Sequence, residues 1–331
     1  MAGVDVLLVS LGSTGGLRAA DDALRGALER AGARVAVAMA APQRDVRTMA
    51  LTDLVWAAAA RAAAARALSE HRPRAILYST TTAALLWPAP GAIRFDAPAA
   101  GNRPGRHGVW QRPLERRRLR QAPLLVPWAE GSLGETPGPH APAIVVPVPV
   151  EPAAPGGTAA VRDLAAIAYG ANPEKKGLDR VLAAWAAARR DGEELVVTGT
   201  DRVPSAPGVR NAGHLAPDAY RALLRRAHVF VTAPRREDYG IAQLEALADG
   251  CVLVTTRAPG PYAALPLAEA LDPRLVASPD ASALARAIRT ALDDPAPDYA
   301  ARAAAAIAPY RPDAVDRTVA EELVPRLLGT G

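Results

Sequence analysis

Two glutamates eight positions apart, Glu237 and Glu245, flank the turn Tyr239-Gly240-Ile241. Apolar residues at 241, 244 and 248 have helical spacing, which predicts that a helix begins at this turn and carries Glu245. A helix N-terminus offers unpaired N–H groups and a partial positive charge to a phosphate, and carboxylates accept hydrogen bonds from hydroxyls. A diphosphate flanked by two polyhydroxylated groups, as in a nucleotide sugar, meets both conditions. The alternative is a surface loop acid followed by a salt-bridged helix acid.

The elements around this turn follow from the hydrophobic pattern. His228 to Thr232 predicts a short buried strand that is ended by Pro234, and Val252-Leu253-Val254 predicts the next one. Gly250 is expected to close the intervening helix because glycine takes the left-handed C′ position without a steric penalty. At about 100° per residue, Glu245 projects close to the apolar stripe of this helix. We therefore expect its carboxylate to point towards packed protein or a cleft.

The segment Glu237-Asp238-Tyr239-Gly240-(x)4-Glu245, with the small-residue helix and strand that follow it to Val254, resembles the E-x7-E segment of the retaining family 4 glycosyltransferases, also called the group 1 glycosyltransferase domain. The resemblance implies the α/β GT-B fold, in which two Rossmann-like domains with doubly wound parallel sheets face a cleft. It also implies that the C-terminal domain holds most of the donor nucleotide sugar. In that family the first acid meets the donor sugar hydroxyls and the second meets the ribose, which assigns these roles to Glu237 and Glu245.

A second strand and loop lie at residues 164–177, before a helix predicted from Leu178 to Arg190. Gly170 to Gly177 resembles the family pattern G-R-x-x-x-x-K-G, whose arginine and lysine clamp the donor diphosphate. Lys176 occupies the lysine position, but Ala171 stands at the arginine position. The candidates for the missing charge are Lys175, Arg235 and Arg236.

The two lysines, Lys175 and Lys176, are the only ones in a chain that has 39 lysines and arginines together. Because arginine otherwise replaces lysine throughout, this pair indicates a specific role, with an exposed loop pair as the alternative. The strand and glycine turn from Glu194 to Thr200 resemble the family's nucleotide-binding segment. The resulting donor-binding candidates, besides Lys176, Glu237 and Glu245, are Gly170, Lys175, Gly199, Arg235, Arg236, Tyr239, Gly240 and Ile241.

The N-terminal half begins with a strand predicted at Val4 to Ser10, a glycine-rich turn from Leu11 to Gly16 and a helix from Arg18 to Arg30. This order opens a doubly wound sheet. The turn is not a G-x-G-x-x-G fingerprint and no acid ends the second strand, which argues against an oxidoreductase dinucleotide site. We expect Gly15 and Gly16 to contact a donor phosphate or the acceptor, with a simple tight turn as the alternative.

Asp96 ends a strand predicted at Ile93 to Asp96, where ligands bind in open α/β sheets. Relatives often carry a histidine near this point, so Asp96 is a catalytic candidate that faces the reacting centre. The alternative is that it caps the Ala97-Pro98 turn. Asn102 and Arg103 in the next loop are candidates for acceptor contact.

Three further segments carry predictions of structure. Residues 49–70 predict an alanine-rich surface helix. The predicted helix from Pro113 to Arg120 carries four arginines, for which we expect a solvated face, with contact to anionic lipid as the alternative. Strands are predicted at 124–127 and 144–147, and the proline- and glycine-rich run Pro147 to Gly157 is predicted to be the interdomain linker.

The domain prediction is an acceptor-side domain at 1–150, a nucleotide-sugar domain at 158–308 and a terminal helix within 309–331 that crosses back to the first domain. The net charge is +5 with a pI of about 9.7, but no aromatic residues interleave with the charges, which disfavours nucleic acid. No run of about twenty apolar residues appears, and the start lacks a basic region, so a cytoplasmic protein with at most peripheral membrane contact is expected. The single cysteine, Cys251, fits a reducing compartment.

The function expected from these residues is transfer of a sugar from a nucleoside diphosphate sugar, with retention, to an acceptor that is a glycan, a lipid or a small molecule. No cofactor is expected, and no metal, since no Asp-x-Asp cluster is present and a cationic clamp replaces it. Lys176, Glu237 and Asp96 are the catalytic candidates. The alternatives are a non-catalytic GT-B protein that binds a nucleotide or glycan, and a GT-B nucleotide-sugar epimerase.

Overall fold

The computed structural model describes residues 3–44, 46–151 and 161–329. They divide into two compact units, the first made of residues 1–149 and 312–331 and the second of residues 150–311. Most of the predicted linker lies outside the described residues, because only its first part, 147–151, is within them.

The first unit contains a five-stranded sheet in which every strand pair is parallel, with the strand order β2-β1-β3-β4-β5. Its strands are β1 Val6–Ser10, β2 Val35–Met39, β3 Ala75–Tyr78, β4 Ala92–Phe95 and β5 Leu125–Pro127. Its helices up to this point are α1 Gly15–Arg30, α2 Met49–Glu70, α3 Thr81–Leu85, α4 Ala99–Asn102, α5 Gln111–Gln121 and α6 Glu130–Gly134, with a 3₁₀ turn at Gly105–Gly108. The central strand β1 is buried along its whole length, as expected for a parallel strand covered on both faces.

The second unit contains a six-stranded parallel sheet in the order β11-β10-β9-β6-β7-β8. Its strands are β6 Leu164–Tyr169, β7 Leu195–Thr198, β8 Val209–Gly213, β9 Ala227–Val231, β10 Val252–Thr256 and β11 Val276–Ala277. Its helices are α7 Leu178–Ala188, α8 Pro217–Arg226, α9 Ile241–Ala248, α10 Ala264–Leu271, α11 Ala281–Asp293 and α12 Tyr299–Ala306, with 3₁₀ turns at Pro273–Leu275 and Ala308–Tyr310. Two doubly wound parallel sheets confirm the predicted fold class.

The C-terminal segment packs on the first unit, although it follows the second along the chain. It consists of α13 Pro312–Thr318, a wider π turn at Val319–Leu323 and α14 Val324–Leu328. Val315, Val319 and Leu323 are buried in one apolar cluster with Leu24 and Leu28 of α1. An ion pair of 2.6 Å between Arg30 Nε and Asp316 Oδ2 lies beside this contact.

Two predictions of local structure in the first unit are wrong. The alanine-rich helix α2 lies at the predicted bounds, but it is not a surface element alone, because one face is buried through Trp56, Ala57, Ala60, Ala63 and Ala64. Residues 144–147 do not form a regular strand, although the amides of Ile144 and Val146 donate to the carbonyls of Leu125 and Pro127. Four of the six buried positions of α2 are alanines, and alanines also stand on its exposed face, so composition alone did not identify the core face.

No helix in the described ranges is long and apolar enough to cross a bilayer.

Candidate functional site

In the second unit, β6 lies between β9 and β7, so the order of the strands reverses beside β6. In open α/β sheets the crevice at such a reversal, outside the carboxyl ends of the strands, is where ligands bind. The two loops at this point are 170–177 after β6 and 232–240 after β9. They carry both lysines and Glu237, the first of the two predicted glutamates. These residues are far apart in the sequence, and the order of the strands brings them to one edge of the sheet.

The two loops contact each other through backbone. Gly177 has a φ of 63°, and a Cβ at this position would stand 1.9 Å from the carbonyl oxygen of Ala233. The amide of Arg235 also donates to the carbonyl of Lys175 at 2.9 Å. Glycine at 177 is therefore required both by the left-handed backbone and by the close approach of the second loop.

Lys176 and Glu237 form an ion pair of 2.6 Å between Nζ and Oε2. The side chains are 18% and 4% exposed, so the pair is largely removed from water. Gln243 in the first turn of α9 donates from Nε2 to the same carboxylate oxygen at 2.9 Å. The first predicted glutamate is thus a buried acid that is held by one cation and one amide.

Lys175, Asp238 and Arg236 form a second charged group beside the first. The Asp238 carboxylate accepts from Lys175 Nζ on one oxygen and from Arg236 Nε at 2.7 Å on the other. Burial disfavours the ionised carboxylate, but the two cations outweigh it and lower the pKa of Asp238. Asp238 therefore stays ionised and holds two cations next to Lys176.

Arg235 points away from this group. Its guanidinium forms two hydrogen bonds of 2.8 Å to the carboxylate of Asp179 on α7 and one of 2.9 Å to the carbonyl of Glu174. Of the three candidates for the missing family arginine, Lys175 and Arg236 lie with Lys176, whereas Arg235 is engaged elsewhere.

The second glutamate, Glu245, lies half-buried on α9. Burial raises its pKa to about 7, an effect that Arg221 opposes and Asp249 reinforces. Arg221 itself is bound to Asp249 by hydrogen bonds of 2.5 and 2.9 Å. Within residues 3–44, 46–151 and 161–329, no group donates a hydrogen bond to the Glu245 carboxylate. It is therefore free to accept hydrogen bonds from a ligand.

Two aromatic rings lie at the end of β6 on the side of Glu245. Tyr169 and Tyr220 have ring centroids 5.6 Å apart, and the negative charge of Glu245 contributes to raising the pKa of both phenols, after burial. Gly199 has a φ of 81°, and a Cβ there would stand 2.6 Å from the Tyr169 ring. A Cβ placed at Gly170 would stand 3.2 Å from Thr200 Cγ2, a tight but less severe approach. The predicted glycines therefore allow close packing at the strand ends.

The loop after β10 supports the turn at Tyr239-Gly240-Ile241, and sequence reasoning missed it. Gly260 has a φ of 116°, and a Cβ there would stand 2.1 Å from the carbonyl oxygen of Glu237. The amide of Glu237 donates to the carbonyl of Pro259 at 3.1 Å, and the amide of Ala263 donates to the carbonyl of Tyr239 at 3.0 Å. The available signal was the run Ala258-Pro259-Gly260-Pro261, in which a glycine stands between prolines.

Gly240 precedes α9 with a φ of 94°, and a Cβ there would stand 3.0 Å from the ring of Tyr262. The Tyr262 hydroxyl shares a hydrogen bond of 2.7 Å with Thr255 Oγ1. The ring therefore supports the start of the helix, where Ile241 is the first helical residue. The backbone amides at this helix start lie next to the two charged groups.

The remaining candidates lie in the first unit. Gly15 and Gly16 are the first residues of α1 and not part of the preceding turn, because Thr14 caps the helix by accepting from the amide of Leu17 at 3.2 Å. Asp96 Oδ1 accepts from the amide of Ala97 at 2.7 Å, which is the capping geometry considered as its alternative. Asn102 Nδ2 donates to the carbonyl of Ala97 at 3.3 Å, and Arg103 forms an ion pair of 2.7 Å with Asp53.

A buried ion pair beneath the glycine turn was not predicted. Arg94 on β4 lies 3.6 Å from Asp21 on α1, and both are almost fully buried. Asp21 also accepts from Ser10 Oγ at 2.5 Å, and the Arg94 guanidinium stacks 4.7 Å from the Trp128 ring centroid. Burial raises the pKa of Asp21, while Ser10 and Arg94 oppose that shift. An arginine between Ile93 and Phe95 in a buried strand was the available signal.

Residues 164–294 match the family described as "Glycosyl transferases group 1". These residues, which include Lys175, Lys176, Glu237 and Glu245, form a group 1 glycosyltransferase domain. No curated protein matches the chain.

Several solved structures share the fold over nearly the whole chain. The sucrose-phosphate synthase of Thermosynechococcus elongatus has a TM-score of 0.74 at 16% identity and covers 99% of this chain and 100% of its own. WaaG, a glycosyltransferase involved in lipopolysaccharide biosynthesis, has a TM-score of 0.72 at 16% identity, and the match covers 98% of this chain and 100% of the WaaG chain. The UDP-forming trehalose-phosphate synthase of Burkholderia xenovorans has a TM-score of 0.70 at 15% identity and covers 98% and 100%. The chain has the GT-B fold.

Proposed function

We propose that the group 1 glycosyltransferase domain binds a nucleoside diphosphate sugar where β6 and β9 end, and that the protein transfers the sugar to an acceptor with retention of anomeric configuration. The observation that carries this proposal is the ion pair of 2.6 Å between Lys176 and Glu237. It brings the cation that we assign to the diphosphate next to the carboxylate that we assign to the sugar hydroxyls. The shared fold with the sucrose-phosphate synthase and the trehalose-phosphate synthase also supports the proposal.

The charge of the site suits a diphosphate. Lys175, Lys176 and Arg236 supply three positive charges, and Glu237 and Asp238 supply two negative ones. The two acids hold the cations in position before a ligand binds. A diphosphate would meet these cations and the N–H groups at the start of α9.

The missing family arginine at Ala171 requires another cation, and we assign this role to Lys175 and Arg236 together. Asp238 keeps both beside Lys176, whereas Arg235 is held by Asp179. Asp238 is thus a positioning residue in the proposal, since it acts through the two cations.

In the proposed reaction the bond between the anomeric carbon and the diphosphate oxygen breaks, and its electron pair leaves with the diphosphate. An acceptor hydroxyl oxygen forms the new bond to the anomeric carbon on the same face, and its proton passes to the departing diphosphate. Preorganised cations and the helix N-terminus stabilise this developing charge, which is usually the largest single catalytic contribution. Glu237 orients the donor sugar, and Glu245 accepts hydrogen bonds from the ribose. Gly170, Gly199, Tyr239 and Ile241 contribute donor contacts, and Asn102 and Arg103 in the first unit are the candidates for acceptor contact.

No metal or cofactor enters this proposal, because the cationic group takes the part that a metal would play. Turnover that is unchanged in a chelator supports it, and turnover that requires an added divalent cation would contradict it. A cytoplasmic location fits the lone buried thiol of Cys251.

The proposal is tested first by thermal shift with uridine, guanosine and adenosine diphosphate sugars, because binding to the folded state raises its stability. Turnover of the stabilising donor is then compared in Lys176→Met and Glu237→Gln. We expect Lys176→Met to lower kcat by about 10²-fold or more, the range found when one preorganised hydrogen-bond donor to a developing negative charge is removed. Arg286→Met, which changes an exposed arginine of the same unit, is the control and keeps full turnover.

Each remaining result decides between the candidate functions. Product with inverted anomeric configuration by NMR would contradict retention. Donor binding without turnover would establish the non-catalytic alternative, and an isomerised nucleotide sugar formed without acceptor would establish the epimerase. Unchanged turnover in folded Lys176→Met and Glu237→Gln would show that the site is assigned to the wrong residues.

A further inference from the structure

The first unit contains a cavity on one side of α5. Its volume is about 620 Å³, within the range of cavities that hold small ligands. One side of α5 lines it together with Ala100 of α4 and Pro137, which follows α6. We call it the α5 cavity, and all of its lining residues belong to the first unit.

Three arginines of α5 line this cavity, namely Arg112, Arg116 and Arg120. Residues four apart lie on the same face of a helix, and each such step advances about 6 Å along its axis. The row of arginines is therefore about 12 Å long. Arg118 lies on another side of α5, where its guanidinium stacks 4.8 Å from the Trp87 ring centroid. The predicted solvated face of this helix does not include Arg118.

The charge of the three arginines is not neutralised by acids. In the part of the chain that the structure describes, none of the three forms an ion pair. Glu115 also lines the cavity, but it is 3% exposed and accepts from the amide of Ala99 at 2.7 Å. Burial raises the pKa of Glu115 to about 7, so it carries only part of a negative charge at neutral pH. The α5 cavity therefore has a net positive charge.

Backbone carbonyls hold two of the guanidinium groups. Arg112 Nη2 donates to the carbonyl of Gly105 at 3.0 Å, and Arg116 Nη2 donates to that of Gly138 at 3.4 Å. The first carbonyl lies in the 3₁₀ turn before α5 and the second in the segment after α6, so the two cations are drawn to different places. A neutral carbonyl orients a guanidinium without cancelling its charge, and each guanidinium has further N–H donors for a ligand.

This distribution of charge indicates a ligand with several anionic groups. Arginine binds a carboxylate, sulfate or phosphate through parallel N–H bonds. One small anion cannot meet three guanidinium groups along a row of about 12 Å. A chain that carries an anionic group about every 6 Å can meet all three, and one sugar residue of a glycan spans a similar distance.

The other lining residues favour a glycan over other polyanions. They are Ala100, Pro113 and Pro137, so among the described residues of the cavity no aromatic ring can stack on a nucleic-acid base. The same residues offer no large apolar side chain to enter a bilayer. Ala100 also lies on the same short helix as Asn102, which is a candidate for acceptor contact.

We propose that the α5 cavity binds a glycan that carries an anionic group on successive sugar residues. The inference deepens the proposed function and rests on it for one point, the role of this glycan as the acceptor. The arginines recognise the anionic groups, so the charge of the acceptor chain contributes to its selection.

The proposal is tested by calorimetric titration of the full chain, without any nucleotide sugar, with three tetrasaccharides. Tetragalacturonate carries a carboxylate on each residue, a heparin tetrasaccharide carries sulfates as well, and maltotetraose is uncharged. We expect at least one of the charged tetrasaccharides to bind and maltotetraose not to bind. The tighter of the two charged ligands identifies the preferred anionic group. Absence of binding by both would overturn the proposal.

Arg116→Gln/Arg120→Gln removes two exposed arginines of the row and should weaken binding of the charged tetrasaccharide by about tenfold or more, because charge-assisted hydrogen bonds are lost. The matched control is Arg25→Gln/Arg66→Gln, which removes two exposed helical arginines elsewhere in the same unit. It should keep the affinity within about threefold of that of the unchanged protein. An equal loss in this control would reduce the effect to net charge and overturn the proposal.

Two competing ligands test the specificity of the cavity. Inorganic phosphate that binds as tightly as the charged tetrasaccharide would indicate a site for a single anion. An oligothymidylate that binds as tightly would indicate a general polyanion surface. Either result would overturn the proposal.

Lys176→Met separates this proposal from the proposed function, because it changes the donor site in the other unit. The variant should bind the charged tetrasaccharide like the unchanged protein, and a loss of binding would place the glycan at the donor site and overturn the proposal. Tetrasaccharide binding by a protein that turns over no nucleotide sugar would contradict the proposed function and support the assignment of the cavity.

Discussion

At the residue scale, the most informative contact is that of Lys176 with Glu237. The sequence assigns one to a diphosphate and the other to a sugar, and the two charges lie 2.6 Å apart with Glu237 almost fully buried. An isolated buried carboxylate is costly, so this pair is stable only because lysine and Gln243 compensate it. A ligand that brings its own phosphates and hydroxyls can take over both partners.

Glu245 gives a pH-dependent prediction. Burial raises its folded-state pKa to about 7, above the value of 4.5 for a free side chain. The folded state therefore binds this proton more tightly than the unfolded state does, and the contribution of Glu245 to stability falls as pH rises from about 4.5 through 7. We expect Glu245→Gln to be more stable than the unchanged protein at pH 8, by up to about 3 kcal/mol, and by less than about 1 kcal/mol at pH 5.

Urea unfolding at the two pH values measures this difference. Glu70→Gln, at an exposed position at the end of α2, serves as the control and should show no such dependence. A stability difference for Glu245→Gln that is the same at both pH values would show that the carboxylate is well solvated or is compensated by a partner.

At the scale of elements, the site depends on how closely three loops approach each other. Gly177 contacts the backbone of the β9 loop, and Gly260 contacts the carbonyl of Glu237. Neither glycine supplies a functional group, but each allows a backbone approach that any side chain would block. The strands bring the loops to one edge of the sheet, and the glycines bring them into contact.

Gly177→Ala tests this interpretation. Any L-residue in the left-handed region costs about 1–2 kcal/mol, and at Gly177 the Cβ would also collide with the Ala233 carbonyl at 1.9 Å. We expect a further loss of about 1–3 kcal/mol from the displaced loop, typical of overpacking. Donor binding should weaken as well, because the displacement separates Lys176 from Glu237.

The matched control is Gly192→Ala. Gly192 also has a positive φ, 83°, but no atom lies within 4 Å of a Cβ placed there. It should therefore show the backbone cost alone, with donor affinity unchanged in calorimetric titration. Equal destabilisation in the two variants would mean that loop contact contributes nothing beyond the backbone conformation.

At the scale of the whole molecule, the first structural unit is built from both ends of the chain. The last residues of the chain complete the core of the first unit, where Val319 and Leu323 are fully buried. The stability of the first unit therefore depends on a segment that is about 160 residues away along the chain. Hydrophobic periodicity within the segment does not reveal which unit it packs against.

Leu323→Ala is expected to destabilise the first unit by about 2–5 kcal/mol, because it leaves a cavity among α1 and the terminal helices. Hydrogen exchange should increase in peptides of α1 and β1 and stay unchanged in those of β6 and β9. Glu322→Ala, at the exposed neighbouring position, should leave both units unaffected. An equal increase of exchange in both units would contradict the assignment of the terminal segment to the first unit's core.

The sequence by itself determined the sheets and the candidate residues. Continuous apolar runs predicted the buried strands, glycines marked the left-handed turns, and the spacing from Glu237 to Glu245 together with Lys176 identified the group 1 glycosyltransferase domain. These features are local, because strand, turn and helix preferences act over a few neighbouring residues.

Only the tertiary structure decided which charges lie together. It placed Lys175 and Arg236 on Asp238 and directed Arg235 to Asp179, and it buried one face of the alanine-rich helix α2. Such partnerships depend on contacts between residues far apart in the chain, and the periodicity of a single segment carries no information about them.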